Sequence, residues 1–432
     1  MATTNELTRG FLQTKARALA ARARRLAQLT PRDVGIRPQD APYAPSAEHF
    51  AAANRRLAEI DRGVTQRLTE LNRRMARGTA PNLVLVYMAL VEREIDRARR
   101  AFGLFFEVFS QRGSAFAPAL AAHDAIAVDC YAAVRQTAPT IFRSRLLKPL
   151  SYLEHGYSPA TMRRGVTLRR LLGESNPFPL IRIPWDRDNP WQAVYLHEIA
   201  HNLQSDLGIW QENRNAVGLR MARTIGDPLI TTIFSRWHKE IFADLAAALL
   251  GGTAAVWGMA DFLAHPHPRV MTYRPGGAHP TGFVRVSILA EMLRRMGFGD
   301  DAARLDRVWR HLYRPSRGHR LPARLLETAG RTVPHVVDEI AFQPRRNLAQ
   351  RALADIIRFS ADDERAIKRG GEQLVRGIVP RELPPRFMLS ASRHAIARGA
   401  PLPRLNQQVT EHLARMAAAR REQTSIPTQM AA

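Results

Sequence analysis

From residue 47 to residue 142 apolar side chains return every three or four positions, a period that packed α-helices bury. Leu57, Ile60, Val64, Leu68 and Leu71 mark one stripe, and Val91, Ile95, Phe102, Phe105 and Val108 mark a second. The pattern predicts helices over 47–76, 82–112 and 117–142, with turns at 78–81 and 113–116. Together they make an antiparallel helical bundle.

Ahead of this bundle, residues 1–29 read as a basic helix, with Arg9, Lys15, Arg17, Arg22, Arg24 and Arg25 opposed by Glu6 alone. Pro31, Pro38, Pro42 and Pro45 then make residues 30–46 a linker rather than a regular element. Past Pro149 the texture changes. Residues 167–172 suggest a helix end, 173–177 a turn and 180–183 a short strand. Asn189, Pro190 and Gln192 carry the signature of a capped helix start, and that helix should stop near Gly208. Further helices are expected over 228–250 and 282–296, the latter closed by Gly297, with a proline-rich loop over 265–280 between them. Beyond Asp300 the chain reads as helical, broken at Pro315, Pro334 and Pro344. The expected fold is mainly α with a small sheet (α+β). Its parts are a basic helix and linker (1–45), a helical bundle (46–149), a core (150–300) and a C-terminal helical region (301–432).

Composition excludes several classes. The chain has 432 residues, 45% of them hydrophobic, so it has apolar mass for a sizeable core. Cys130 is the single cysteine, so no internal disulfide can staple the fold. The formal charge is +25, and only Lys15, Lys148, Lys239 and Lys368 are lysines among 64 basic side chains. Arginine-rich, lysine-poor usage follows from a GC-rich genome, but the field would also attract an acidic protein partner, a membrane surface or nucleic acid. No phosphate loop, nucleophile elbow or nucleic-acid motif accompanies it. Arg163-Arg164, Arg169-Arg170 and Arg345-Arg346 read as solvated helix faces, and Trp185, Trp191 and Trp210 as core or cleft wall. The most apolar run, residues 245–260, contains Gly251, Gly252 and Gly258 and reads as a buried helix pair, not a transmembrane span. The basic N-terminal segment lacks the apolar stretch of a secretory signal, which makes a cytoplasmic location the expectation.

The chemistry concentrates in His197-Glu198-Ile199-Ala200-His201. On a helix, positions i and i+4 share a face, so both imidazoles can reach one Zn²⁺, while Glu198 projects beside them to take a proton from water. Val194, Leu196, Ile199, Ala200 and Leu203 surround the motif with apolar side chains, an environment in which unliganded histidines are costly. Glu240, 39 residues past His201, is the candidate third ligand. Asp244, one turn further, is placed to accept the N–H of a zinc-bound imidazole and hold its tautomer. Asp244, His238 and Asp206 are the replacement donors.

His-Glu-x-x-His followed by Glu240-x-x-x-Asp244 resembles the gluzincin class of zinc metallopeptidases. Glu240-Ile241-Phe242-Ala243-Asp244 together with His279-Pro280 and Arg285 resembles its CAAX-prenyl-protease-like branch, over residues 179–298. The metzincin pattern is absent, since Gln204 and Leu207 replace its glycine and third histidine. The resemblance implies a zincin-like core flanked by helical domains, with His197, His201 and Glu240 as ligands and Glu198 as general base. A water would hold the fourth position, and the substrate would be a peptide or protein. A donor to the developing oxyanion is also needed. The loop over 265–280 offers His279, on the strength of the His-Pro match, then Tyr273, with His265 and His267 behind them. The competing expectation is a non-catalytic binding or adaptor protein of zincin fold whose basic helices hold a polyanionic or protein partner.

Overall fold

A computed structural model describes residues 3–425 apart from 143–146, 157, 166, 169–173, 188, 190–191 and 315–319. The expected Pro190 helix start, the Arg169-Arg170 pair, Trp191 and the Pro315 break therefore lie outside the described residues. The chain is 71% helical with one small three-stranded sheet. The first elements are α1 (Thr4–Arg25), α2 (Ala47–Ala76), α3 (Pro81–Ser110) and α4 (Ala117–Thr137). Next come β1 (Leu150–Leu153), β2 (Ala160–Met162), β3 (Thr167–Leu168), β4 (Glu174–Ser175) and β5 (Leu180–Ile183). Helices follow as α5 (Val194–Asp206), α6 (Trp210–Thr224), α7 (Pro228–Leu263), α8 (His267–Val270), α9 (Gly282–Arg295) and α10 (Gly299–Leu312). The last five are α11 (Ala323–Val337), α12 (Leu353–Ile356), α13 (Ala361–Val375), α14 (Pro385–Ala397) and α15 (Leu402–Ser425).

These elements form two compact units, residues 1–117 with 164–179, and residues 118–163 with 180–432. In the first unit, Leu12, Ala16 and Leu19 of α1 are buried with Val64 and Leu71 of α2 and Val84, Met88, Val91 and Ile95 of α3. The α2–α3 turn is short because Gly78 takes φ +71° and closes α2, with Thr79 N–H donating back to the Arg74 carbonyl at 3.1 Å. Phe50, Phe105, Phe109 and Phe178 make a second aromatic core in this unit. The linker is not wholly irregular. Pro38–Tyr43 is a 3₁₀ turn, which proline tolerates, fastened by Arg37 Nε donating to Asp40 Oδ2 at 2.8 Å. Residues 167–168 and 174–175 pair as an antiparallel ribbon instead of a helix end.

In the second unit α4 stops at Thr137, before the expected 142, because Pro139 disfavours helical geometry in the residue before it. The sheet runs β1-β5-β2, parallel between β1 and β5 and antiparallel between β5 and β2, with Thr161 opposite Ile181. Helix α5 begins at Val194, four residues past Pro190. The chain enters it through 3₁₀-type bonds from Tyr195 N–H to the Gln192 carbonyl and from Leu196 N–H to the Ala193 carbonyl. Pro334 is carried inside α11, which passes directly into a π-helical turn, Asp338–Phe342, so the chain is not broken there.

Helix α7 is the spine of this unit. Asp227 caps it, accepting from Leu229 and Ile230 N–H at 2.9 and 3.2 Å, and Pro228 fills its first position. Long and apolar enough to cross a membrane, it is nonetheless core: 94% of its apolar window is buried within the fold. It is a helix pair in effect, since Gly252 takes φ +67°, ψ −151°, outside helical space. The break frees polar groups that α13 and α14 satisfy. Ser390 Oγ donates to the Gly251 carbonyl at 2.6 Å, and the Thr253 N–H donates to Glu364 Oε2 at 3.2 Å. Gly251 and Gly258 also let α5 approach closely, their missing side chains leaving space occupied by Leu196 and Ala193. That contact sets His197, the next residue, against α7.

Candidate metal centre

Three helices meet at one point. Helix α5 supplies His197 and His201 one turn apart, their rings 4.6 Å apart and nearly perpendicular. Helix α7 supplies Glu240, whose Oε2 lies 3.4 Å from His197 Nε2 and 3.5 Å from His201 Nε2. The edge of a tetrahedron with ligands at 2.0–2.1 Å is about 3.3 Å, so these spacings suit three donors around one ion. The three donor atoms all lie within 4.8 Å of one another and can hold a metal ion.

Charge around this group is arranged in a chain. His197 Nδ1 faces Asp244 Oδ1 at 2.9 Å, and Arg285 of α9 grips that carboxylate through Nη2 at 2.6 Å and Nε at 2.8 Å. Thr281 caps α9, accepting from Val284 N–H, which fixes the turn that carries Arg285. All four of His197, Glu240, Asp244 and Arg285 are buried. In the metal-free chain, burial opposes a charge on His197, yet Asp244 outweighs it and raises the imidazole to about 9. Burial likewise opposes the Glu240 charge, and the two imidazoles overcome it and hold the carboxyl far below its ordinary range. Lys239 Nζ stands 3.7 Å from Glu240 Oε1, leaving Oε2 to the histidines.

The group opens into a cleft of about 330 Å³. One wall is β2 and its approach, where Thr161 Oγ1 donates to the Glu198 carbonyl at 2.8 Å. Glu198, His279, Arg163, Trp210, Lys239 and Phe262 complete the lining. His279 Nε2 reaches within 3.5 Å of Glu240 Oε2 but falls outside the mutually close donor set, so it borders the site without closing it. Tyr273 is not brought there. Its ring packs edge-on against Trp237, 6.0 Å between centroids, and its N–H donates to the Arg320 carbonyl. His265 and His267 are also elsewhere, the first accepting from Tyr313 through its carbonyl and the second bonding the Arg314 carbonyl. The loop carrying them is braced by α8 and by a bridge between Thr272 and Arg320.

The replacement donors have other roles. Asp206 accepts from Tyr131 Oη at 2.6 Å, and His238 bonds the Ser235 carbonyl and packs on Trp210. Sequence reasoning missed the β2 wall, because residues 158–163 carry too short an alternation to read as a strand. It also misplaced Arg163, which follows β2, is half-buried and lines the cleft, where a solvated helix face was expected. Trp185 is exposed, whereas Trp210 is cleft wall as expected. Comparison of the chain with protein-family models, with curated proteins and with solved structures finds no match.

Proposed function

We propose that the chain is a zinc-dependent metallopeptidase of gluzincin kind, hydrolysing a peptide or protein at the His197–His201–Glu240 centre. The observation that carries this reading is the convergence of three donor atoms at tetrahedral spacing on the floor of a cleft that Glu198 also lines. Two imidazole nitrogens and one carboxylate oxygen are the donor set of catalytic zinc sites, which keep a fourth position open. The reach of both His279 and Arg285 to this centre supports the likeness to the CAAX-prenyl-protease-like branch.

Zinc, when bound, supplies a Lewis acid that polarises the scissile carbonyl and makes water a nucleophile near neutral pH. The residues do the rest. Asp244 accepts the Nδ1–H of His197, so Nε2 presents its lone pair to the site. Glu198 takes the proton of the attacking water and returns it to the leaving amine. His279 donates to the oxygen that gains charge from the carbonyl. As an edge strand beside the cleft, β2 can align an extended peptide through main-chain hydrogen bonds.

Metal analysis of the purified chain, paired with a peptide-library digest read by mass spectrometry, tests the proposal. About one zinc per chain is expected, with cleavage that a chelator abolishes and added zinc restores. A chain that holds zinc and cuts nothing would favour the adaptor reading instead.

A further inference from the structure

Several arginines of this unit that the fold draws inward are matched by an acid. Arg285 pairs with Asp244, Arg345 with Glu339 and Arg386 with Asp129. Arg163 is not matched in this way. Its guanidinium lies 4.5 Å from the centroid of the Trp210 ring, with no hydrogen bond or ion pair among the described residues. Lys239 shares that indole at 5.6 Å, but its ammonium is already engaged by Glu240. Arg163 is half-buried, in the wall of the cleft that holds the donor triad, so part of its hydration is lost, and Glu240, the acid whose charge reaches it, is in contact with His197, His201 and Lys239 instead. A guanidinium held over an indole keeps its N–H donors available, and two of them can grip a carboxylate with parallel bonds. A neutral cleft wall would not need this.

We propose that Arg163, stacked on Trp210, is an anion subsite that selects peptides placing a carboxylate beside the scissile bond. The inference rests on the peptidase reading of the cleft, and adds the class of substrate to it. The carboxylate can be an Asp or Glu side chain or the C-terminus of the substrate, since both present the same two oxygens. Arg163 follows β2 directly, so a peptide aligned on that edge strand passes the guanidinium as it approaches the metal centre. Its role is specificity, not chemistry.

The test uses the full chain, zinc-loaded, carrying Glu198→Gln to prevent turnover, and fluorescent peptides in matched pairs. One pair differs only as Asp against Asn, the other only as C-terminal acid against amide, and anisotropy reads the affinities. The carboxylate member of at least one pair should bind about 10–100-fold more tightly, the value of one charge-assisted bidentate contact, and the pair that responds identifies the source. Arg163→Gln should abolish the difference, Arg163→Lys should restore part of it, and Arg163→Glu should reverse it. Circular dichroism of each variant separates this from misfolding. Equal affinities within both pairs, or a preference that survives Arg163→Gln in a folded chain, would overturn the subsite. Matched digests with the Glu198 protein keep the two readings apart. Cleavage without a carboxylate preference defeats the subsite alone, whereas a carboxylate preference without any cleavage defeats the peptidase reading alone.

Discussion

Asp244 Oδ1 lies 2.9 Å from Nδ1 of His197. That contact makes Asp244 the hinge between two demands. It orients a candidate metal ligand, and it neutralises the buried Arg285. Burial disfavours the Asp244 charge, and Arg285 followed by His197 overcomes this and holds the carboxyl below its ordinary range.

Asp244→Asn should therefore fail twice. Leaving Arg285 buried without its counter-charge should cost about 3–5 kcal/mol, read from urea unfolding of the chelator-treated protein. Replacing the orienting carboxylate by a neutral amide, a weaker acceptor that can also turn its NH2 toward Nδ1, should weaken zinc affinity by about 10–100-fold, read by competition with a chromogenic chelator. A variant of unchanged stability and affinity would show that neither role belongs to Asp244.

Gly252 is the point at which α7 turns. A Cβ there would meet Phe359 and lie 2.7 Å from Glu364 Oε2, in a backbone conformation that side chains avoid. Gly252→Ala should destabilise by about 1–3 kcal/mol from backbone strain and by a similar amount from overpacking. Gly330, exposed inside α11 with nothing within 4 Å of where a methyl would stand, is the contrast. Gly330→Ala should stabilise by about 0.5–1 kcal/mol, the ordinary helix-interior difference. Thermal denaturation of the two variants beside the parent checks both signs.

The triad was legible because its spacing is helical arithmetic. His197 and His201 stand i, i+4, Glu240 and Asp244 stand i, i+4, and two such helices need only pack to bring the four together. Packing depends on Gly251 and Gly258, which signalled a buried helix pair and in the fold let α5 approach α7. The β2 wall was not legible, since Ala160–Met162 is a strand only because β5 lies beside it. In the described first turn of α5, the Tyr195 hydroxyl bonds Ser151 Oγ and the His123 carbonyl, contacts that join residues 44 and 72 positions apart and that no local pattern announces. Pro334 shows the limit of local rules, because the helix around it is held by the buried side chains Val333, Val336 and Val337.

His412 of α15 offers a pH test away from the metal. It is buried, its Nε2 has no partner among the described residues, and burial, aided by Arg415 and Arg381, lowers its proton affinity. The unfolded chain then binds this proton more readily, so stability is lost as pH falls through about 6.5 and is flat above it. His412→Gln should shrink the difference in urea midpoint between about pH 7.5 and about pH 5.5, on either side of the ordinary imidazole value. An unchanged difference would show that His412 does not contribute to the acid sensitivity of the fold.

In the proposed peptidase, Glu198 moves the proton for hydrolysis at the metal centre. The most direct test of this role is the rate of peptide cleavage by zinc-loaded Glu198→Gln against the parent, with zinc content measured on the same samples. A fall in kcat of about 10²–10⁴-fold at equal zinc content is the predicted result, the contribution of a positioned general base. Cleavage at the parent rate by the substituted protein, with its zinc in place, would contradict it.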